Sequence, residues 1–476
     1  MNNIHIGFHK SDVTPKTGGI PLSGWGATHL RLAATVEDPL YCSVTAVGNG
    51  EKAEYIIINL DLISIPTDKV KRLRTAIFEK TGYSEDRVII SGTHTHSAPD
   101  LSSKLDTIET YIKFLEQEIP DCIKRAVADM KPATIYYGKN EVGRRDMRIN
   151  FVRHYTMTDI EYKDNPSDGP VYYSGNNFGF EYLQNPDKYI YTGHESEADP
   201  EVQLIEFRRE NADSILLVNF QSHALLSSGI ASTVMTSDFP GAVCEELKKR
   251  IGNCEAVYIQ GCCGNINPFT RIREEALLGI CYDPFRANDD CDCDWRAYGK
   301  IIAAYAKEIH DTKLTKSKSN EFRFARKILN LPCDHSRDDK LPEIEWVLEK
   351  YDKEGNTRET IEAAMSAGLV SPYEATAIRT RSKLPLSMDF EINALRFGDT
   401  AMTTVPAEHF DQTGKYIKAN SPFKLTLNQC YSCGRYAYLP AEGTCMTGYE
   451  RNNTFFAPGT AEIIRDAQLD LLNTLK

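Results

Sequence analysis

Short apolar runs alternate with segments of helical periodicity along this chain of 476 residues. The apolar runs, each the length of one buried strand, lie at 53–65, 87–94, 214–223 and 256–261. The segments with apolar residues at helical spacing lie at 69–80, 108–130 and 239–251. Strands that are separated by helices in this way assemble into sheets that the helices cover. We therefore predict an α/β fold, with mixed β-sheets flanked by helices.

Domain organisation follows from what interrupts this alternation. Residues 1–476 contain no internal repeat and no Gly/Ser-rich linker, so we predict a single large domain. Residues 155–199 are rich in Tyr, Asn, Gly, Asp and Pro with little periodicity, and loops of that length are usually functional. We predict that they form a long loop over the functional site. Residues 334–383 are predicted to be an inserted pair of helices.

Composition excludes several classes of partner. The net charge is −12, whereas nucleic acids and anionic membranes select basic surfaces, so we expect neither as a partner. No run approaches the roughly 18 apolar residues of a transmembrane helix, and the first residues lack the pattern of a secretory signal. The 13 cysteines have irregular spacing, which suits a reducing compartment. We expect a cytoplasmic protein with a small-molecule substrate, and the sequence does not indicate its oligomeric state.

Potential metal ligands follow three of the predicted strands. His94 and His96 stand at the end of the run 87–94, and side chains two apart in an extended strand point the same way. His223 ends a second apolar run, and Glu408 follows a third. Ligands bind at strand ends in α/β folds, and two histidines with one glutamate are a common catalytic zinc set. The sequence therefore predicts a metal site that joins these strand ends.

Cysteine spacing gives no comparable signal. The densest clusters are Cys262-Cys263 and Cys291-Asp-Cys293, and neither has the CxxC pairs of a structural zinc site. We do not predict a cysteine ligand. Asp238, just beyond the His223 strand, is predicted to cap the helix at 239–251, with an outer partner of a ligand histidine as the alternative.

Eight segments resemble, in order, successive blocks of the neutral/alkaline (non-lysosomal) ceramidase family. The blocks span Gly7 to about Glu450 and read GFHKSDVTPKTGGIPLSGWG, LDLISI, SGTHTHSAPD, DPEVQLIEFRRENADSILLVNFQSHA, TSDFPGAV, QGCCGNINP, TTVPAEHF and YLPAEGTCMTGYE. The resemblance covers the family's catalytic domain almost from end to end. It implies a zinc ion held by four residues, which are His94, His223, Glu408 and Tyr438.

The same resemblance implies roles for residues around the ion. His96 would move a proton or orient a group, and Tyr449 would hydrogen-bond the oxyanion that develops during the reaction. The family's arginine corresponds to Arg144 in the segment GRRDM, with Arg145 as an alternative register. For Tyr438 and Tyr449 the alternative is that both are core tyrosines whose hydroxyls have found partners.

The chain departs from the family pattern at one chemically important position. Ceramidases carry a serine, proposed as the nucleophile, where this chain has Asn267 in the segment GNINP. We predict that Asn267 binds the substrate, and the alternative is that it only closes a turn through its own backbone. The family's C-terminal immunoglobulin-like domain has no counterpart in the matched blocks. Both differences lead us to expect ceramide to be a poor substrate.

The function predicted from these observations is a zinc-dependent hydrolase. It would cleave an amide or ester bond of a small polar substrate by metal-activated water. The alternatives are a glycoside-cleaving enzyme on the same scaffold, a true ceramidase (N-acylsphingosine amidohydrolase), and a non-catalytic metal- or lipid-binding protein.

Overall fold

Two β-sheets packed face to face form the centre of the molecule. The computed structural model describes residues 4–24, 30–142, 149–174, 185–228, 232–268, 295–355, 357–369, 371–444 and 448–476. Mixed sheets with helices on their outer faces confirm the predicted fold class. No helix in these ranges has the length and apolar character to span a bilayer.

The larger sheet has nine strands, in the order β8-β7-β6-β5-β1-β2-β3-β4, with β9 paired to β5. Its strands are β1 His5–Asp12, β2 Tyr41–Gly48, β3 Tyr55–Leu60, β4 Val88–Gly92, β5 Lys131–Glu141, β6 Glu201–Arg209, β7 Ser214–Phe220, β8 Cys254–Gln260 and β9 Thr315–Lys316. The pairs β3–β4 and β7–β8, one at each edge, are parallel, and the other pairs are antiparallel.

The second sheet has four strands in sequence order. They are β10 Phe322–Pro332, β11 Ser387–Phe397, β12 Thr400–Thr404 and β13 Leu425–Gln429. The first three pair antiparallel, whereas β12 and β13 are parallel. Parallel neighbours require a crossover connection, which here is a helix between residues 404 and 425.

Ten helices are described, some of them covering the outer faces of the sheets. They are α1 Thr67–Thr81, α2 Asp106–Ala128, α3 Asp238–Ile251, α4 Trp295–Glu308, α5 Leu341–Glu354, α6 Arg358–Ser366, α7 Pro372–Arg381, α8 Asp411–Asn420, α9 Tyr449–Asn452 and α10 Thr460–Thr474. Helix α1 ends at Gly82, whose φ of 79° is a left-handed conformation that glycine adopts without strain. Helices α1, α3 and α8 make the crossovers of the three parallel strand pairs within the two large sheets.

Alternating side chains of each strand enter different cores, which explains why the strands read as continuous apolar runs. In β3, Ile56, Ile58 and Leu60 pack against α1 and α2, whereas Tyr55 and Ile57 face the second sheet. The outer face of the second sheet packs against α10. The layers are therefore helix, sheet, sheet and helix, and both faces of both sheets are buried.

Two predicted segments have more structure than the sequence indicated. The predicted long loop at 155–199 contains a three-stranded sheet of Tyr155–Asp159, Tyr172–Ser174 and Tyr189–His194, which the weak periodicity of this segment did not indicate. The segment 334–383 holds three helices, α5 to α7, with a small core of their own. Short strand pairs complete the described fold, and they are Pro21–Leu22 with Arg31–Leu32, Thr35–Val36 with Val234–Met235, Asn150–Val152 with Ile266–Pro268, and Glu408–His409 with Tyr438–Leu439.

Candidate metal and catalytic site

The segment from Cys430 to Cys433 brings the two edges of the large sheet together. Its first amide, on Cys430, donates to the carbonyl of Gln260 at the end of β8 (2.9 Å), and Cys433 donates to Ile90 of β4 (2.7 Å). Between them, the carbonyl of Tyr431 accepts from Gly92 (3.2 Å). Strands β4 and β8, at opposite edges of the large sheet, therefore end beside the same segment, which directly follows strand β13 of the second sheet. This arrangement gathers their terminal side chains into one buried site.

His94 meets its neighbours through a turn rather than through strand alternation. Strand β4 ends at Gly92, and His94 has a φ of 68°, in the left-handed region that non-glycine residues rarely adopt. The predicted extended path through His94 and His96 is therefore wrong, although the two rings do come together. Their Nε2 atoms are 3.3 Å apart. Backbone strain of this kind is concentrated at functional sites.

The imidazole rings of His94 and His223 and the carboxylate of Glu408 lie next to one another in this site. His94 Nδ1 lies 2.9 Å from the carbonyl of Ile63, and His223 Nδ1 lies 2.8 Å from that of Cys263. Because a carbonyl only accepts, each Nδ1 carries a proton, and in the neutral form of each ring Nε2 then presents a lone pair. Glu408 Oε2 is 3.1 Å from His223 Nε2, and Glu408 Oε1 is 3.7 Å from His94 Nε2.

This cluster of side chains could hold a metal ion. His223 Nε2 and Glu408 Oε2 are buried and have no hydrogen-bond partner among the residues that the structure describes. Buried polar atoms are almost always satisfied, so exceptions require an explanation. His94, His223 and Glu408 are each at most 2% exposed. The donor set of two imidazoles and one carboxylate fits a metal ion, which is the kind of site that the strand ends predict.

The protonation states agree with a ligand role. Burial lowers the pKa of His94 to about 3, so the ring is neutral at neutral pH. Burial opposes ionisation of Glu408, but the adjacent His223 and His94 rings and the hydroxyl of Tyr431 bring its pKa down to about 2. At neutral pH His94 therefore presents a neutral nitrogen, and Glu408 presents a carboxylate.

Two residues that the sequence analysis did not select also belong to the cluster. The hydroxyl of Tyr431 donates to Glu408 Oε1, and its ring stacks on His94 with centroids 4.6 Å apart. Cys263 supplies a sulfur to the group that could hold a metal ion, in which all ligand atoms lie within 4.8 Å of one another. Both residues come shortly after a buried strand, β13 and β8, which is the signal that identified His94 and His223.

His96 is held beside the cluster by its backbone and by a glycine. Its carbonyl accepts from Arg31 Nη2 (2.8 Å), and its ring hydrogen-bonds to the backbone of Gly24. Gly24 has a φ of 111°, and a Cβ there would lie only 2.5 Å from His96 Nδ1, so only glycine fits this approach. Burial and the neighbouring histidines hold the pKa of His96 well below its usual range.

The predicted tyrosines lie on the other side of His223. Tyr438 pairs in register with Glu408, and its ring stacks on His223 with centroids 6.5 Å apart. The Arg153 guanidinium lies over the Tyr438 ring, 5.5 Å from its centroid. Tyr449 contacts Tyr438 edge to face at 5.7 Å. The structure thus brings both tyrosines to this end of the site, next to one proposed ligand.

Asn267 lies in a short strand rather than at the closure of a turn. Ile266–Pro268 pairs antiparallel with Asn150–Val152, and the carbonyl of Ile266 lies 3.0 Å from His223 Nδ1. The side chain is 4% exposed, and its Oδ1 has no hydrogen-bond partner within the described part of the chain. The unsatisfied atom is therefore the amide oxygen, an acceptor that lies next to the His223 backbone contact.

Asp238 lies at the start of helix α3 and uses its two carboxylate oxygens differently. It is the first residue of the helix, with a φ of 53°, and Ser237 occupies the N-cap position without a side-chain cap bond. Asp238 Oδ1 accepts from the backbone amide of Phe239 in the first turn (2.6 Å), as a capping carboxylate would. Its Oδ2 accepts from the backbone amide of Ser227 at 2.7 Å and also from the Ser227 hydroxyl, which fixes the loop that follows His223.

Solved structures identify the fold that carries this site. The chain matches a neutral ceramidase from Pseudomonas aeruginosa with a TM-score of 0.67 and 17% identity, over 100% of this chain and 75% of that chain. A ceramidase complexed with C2 matches with a TM-score of 0.66, 16% identity and the same coverage. The chain folds as a neutral ceramidase-like catalytic domain. No protein-family model matches the sequence.

Next to the metal cluster, this ceramidase-like domain buries a network of charges. Glu450 Oε1 is 2.9 Å from Arg153 Nη2, and its Oε2 is 3.1 Å from His154 Nε2. His154 Nδ1 lies 2.8 Å from Glu195. Arg153 is thus the arginine that the described structure places against Tyr438, while Arg144 and Arg145 lie outside the described residues.

This network makes a testable contribution to pH-dependent stability. Burial lowers the pKa of His154, but hydrogen bonds to Glu195 and Glu450 outweigh it and raise the pKa to about 9. The stabilisation from protonated His154 is complete below the unfolded pKa of about 6.5 and is lost as pH rises through 9. We expect the free energy of unfolding to fall by about 3 kcal/mol across this window. Urea unfolding of the wild type and His154→Gln measures the effect, and equal pH dependence in both proteins contradicts it.

Proposed function

We propose that this chain is a zinc-dependent hydrolase that cleaves an amide or ester bond of a small polar substrate by attack of water. The observation that supports it best is the buried convergence of His94, His223 and Glu408, in which His223 Nε2 and Glu408 Oε2 have no hydrogen-bond partner among the described residues. The neutral ceramidase fold supports the same reaction class. Zinc with His/Glu ligands lowers the pKa of bound water to about 7 and polarises a carbonyl oxygen.

The side chains around the proposed ligands are assigned the roles of proton transfer, oxyanion binding and substrate binding. His96 lies one hydrogen bond from His94 and is neutral, so it can accept a proton from water and return it to the leaving group. Tyr449 and the amide of Asn267 are proposed to bind the oxyanion and the substrate. The resemblance assigns Tyr438 as a further zinc ligand, and its stacking on His223 is compatible with that role.

Asn267 provides a test of the catalytic assignment. Replacing it by Ala should lower turnover by about 10²- to 10³-fold, the usual cost of removing one oxyanion-type donor. Zinc content should not change, because the amide is not a proposed ligand. Steady-state kinetics and elemental analysis of Asn267→Ala measure both quantities. A covalent protein adduct trapped during turnover would contradict direct attack by water.

A substrate panel tests the proposed activity. It should contain N-acyl amides, esters, aryl glycosides and short- and long-chain ceramides, each assayed with zinc-loaded and chelator-treated protein. We expect zinc-dependent release of acid from polar amides or esters and little release of sphingosine from ceramide, because Asn267 stands at the position of the family's serine. Glycoside cleavage would favour the alternative enzyme class. No turnover by zinc-loaded protein would favour a binding protein.

A further inference from the structure

Cys263 is the strongest functional candidate that neither the sequence pattern nor the resemblance assigns. Its side chain is fully buried, and its Sγ belongs to the group in which the ligand atoms of His94, His223 and Glu408 all lie within 4.8 Å of one another. The unsatisfied His223 Nε2 and Glu408 Oε2 are part of the same group. The thiol therefore lies among atoms that already require a cation.

The backbone around Cys263 holds the sulfur in this position. The carbonyl of Cys263 accepts the Nδ1 proton of His223, which couples the cysteine to the ring. The next residue, Gly264, donates to the carbonyl of His409 (2.9 Å). A Cβ on Gly264 would lie 2.8 Å from the carbonyl oxygen of Glu408, so the loop packs directly on the backbone of the glutamate ligand. Sγ is thus fixed relative to both His223 and Glu408.

We propose that Cys263 is a zinc ligand, so that the protein's donor set is two nitrogens, one carboxylate oxygen and one sulfur. This inference rests on the proposed metal site. On binding, the Cys263 thiol proton is released to solvent and the thiolate sulfur bonds to the ion. A thiolate favours softer ions such as zinc over magnesium or calcium.

Cys262 is the matched control. It precedes Cys263 and is also buried, but it packs into the core between the second sheet and α10. There its Sγ lies near Gly414, where a Cβ would approach it to 2.9 Å. Ser substitution at either position removes one sulfur from the same turn, but only one of the two sulfurs is in the metal cluster.

Cobalt binding tests the proposal. Co²⁺ is titrated into metal-free wild type, Cys263→Ser and Cys262→Ser, and absorption is recorded from the near ultraviolet to the visible. We expect visible ligand-field bands in all three proteins, a sulfur-to-cobalt charge-transfer band in wild type and Cys262→Ser, and loss of that band in Cys263→Ser. Cobalt binding without the charge-transfer band in wild type overturns the cysteine ligand and leaves the metal site intact. No cobalt binding by wild type overturns the proposed function and this inference together.

X-ray absorption of the zinc-loaded wild type gives the same answer without any substitution, should Cys263→Ser fail to fold. A sulfur shell at about 2.3 Å in addition to nitrogen and oxygen at about 2.0–2.2 Å supports the Cys263 ligand. A first shell of nitrogen and oxygen alone overturns it.

Discussion

Replacing His223 by Ala should remove both the metal and the hydrolase activity. The Nδ1 proton of His223 is held by the carbonyls of Cys263 and Ile266, so its Nε2 is committed to the cluster with Glu408. Loss of an outer-shell partner of a metal ligand costs about 10- to 100-fold in affinity, and loss of a ligand itself should cost more. Zinc affinity, measured by competition with a chelator, should therefore fall by more than 100-fold, and turnover should fall with it.

Two histidine variants provide the controls for this experiment. His409 is equally buried and adjacent to Glu408, but its Nε2 bonds to Gln468 (2.9 Å), so His409→Ala should retain zinc. His96→Ala should also retain zinc and yet lose turnover, because His96 is proposed to move a proton. Wild-type zinc affinity in folded His223→Ala would remove His223 from the ligand set.

Replacing Glu450 by Ala should have the largest effect on stability. The change leaves the buried cations Arg153 and His154 without their shared carboxylate, and breaking a buried ion pair costs about 3–5 kcal/mol. The position of Tyr438 should also be disturbed, because the Arg153 guanidinium lies over its ring. We expect a lower free energy of unfolding in urea and reduced turnover of the remaining folded protein.

A variant of a second buried ion pair is the control, because it should lower stability without changing turnover. Arg74 of α1 binds Glu391 of β11 through two hydrogen bonds of 2.8 and 2.7 Å, with both side chains less than a tenth exposed. Arg74→Met should therefore destabilise the protein to a similar extent without changing the turnover of the folded fraction. If Glu450→Ala and Arg74→Met affect turnover equally, the network has no specific role at the site.

Strand-end reasoning predicted that His94, His223 and Glu408 meet, because each occupies a sequence position that is recognisable locally. His94, His223 and Glu408 each follow a buried strand, and the apolar runs that precede them are visible in the sequence. Tyr431 and Cys263 also follow buried strands, which end at Gln429 and Gln260. They were missed because one tyrosine among 24 carries little signal and because a cysteine ligand was sought through CxxC spacing.

The long-range geometry could not be predicted from these patterns. The contact of both sheet edges with residues 430–433 depends on pairings between segments that are hundreds of residues apart, such as Ile90 with Cys433. The left-handed turn at His94 is equally invisible, because histidine does not signal a positive φ as glycine does. The small sheet within 155–199 was missed because its strands are short and lack an apolar period.

Anomalous diffraction tests the metal centre most directly. Crystals of zinc-loaded protein should be measured on both sides of the zinc absorption edge. We predict one strong edge-dependent peak, about 2.0–2.2 Å from His94 Nε2, His223 Nε2 and the Glu408 carboxylate. Absence of a peak between these three side chains, in crystals whose protein retains zinc elsewhere or binds none, would contradict the account.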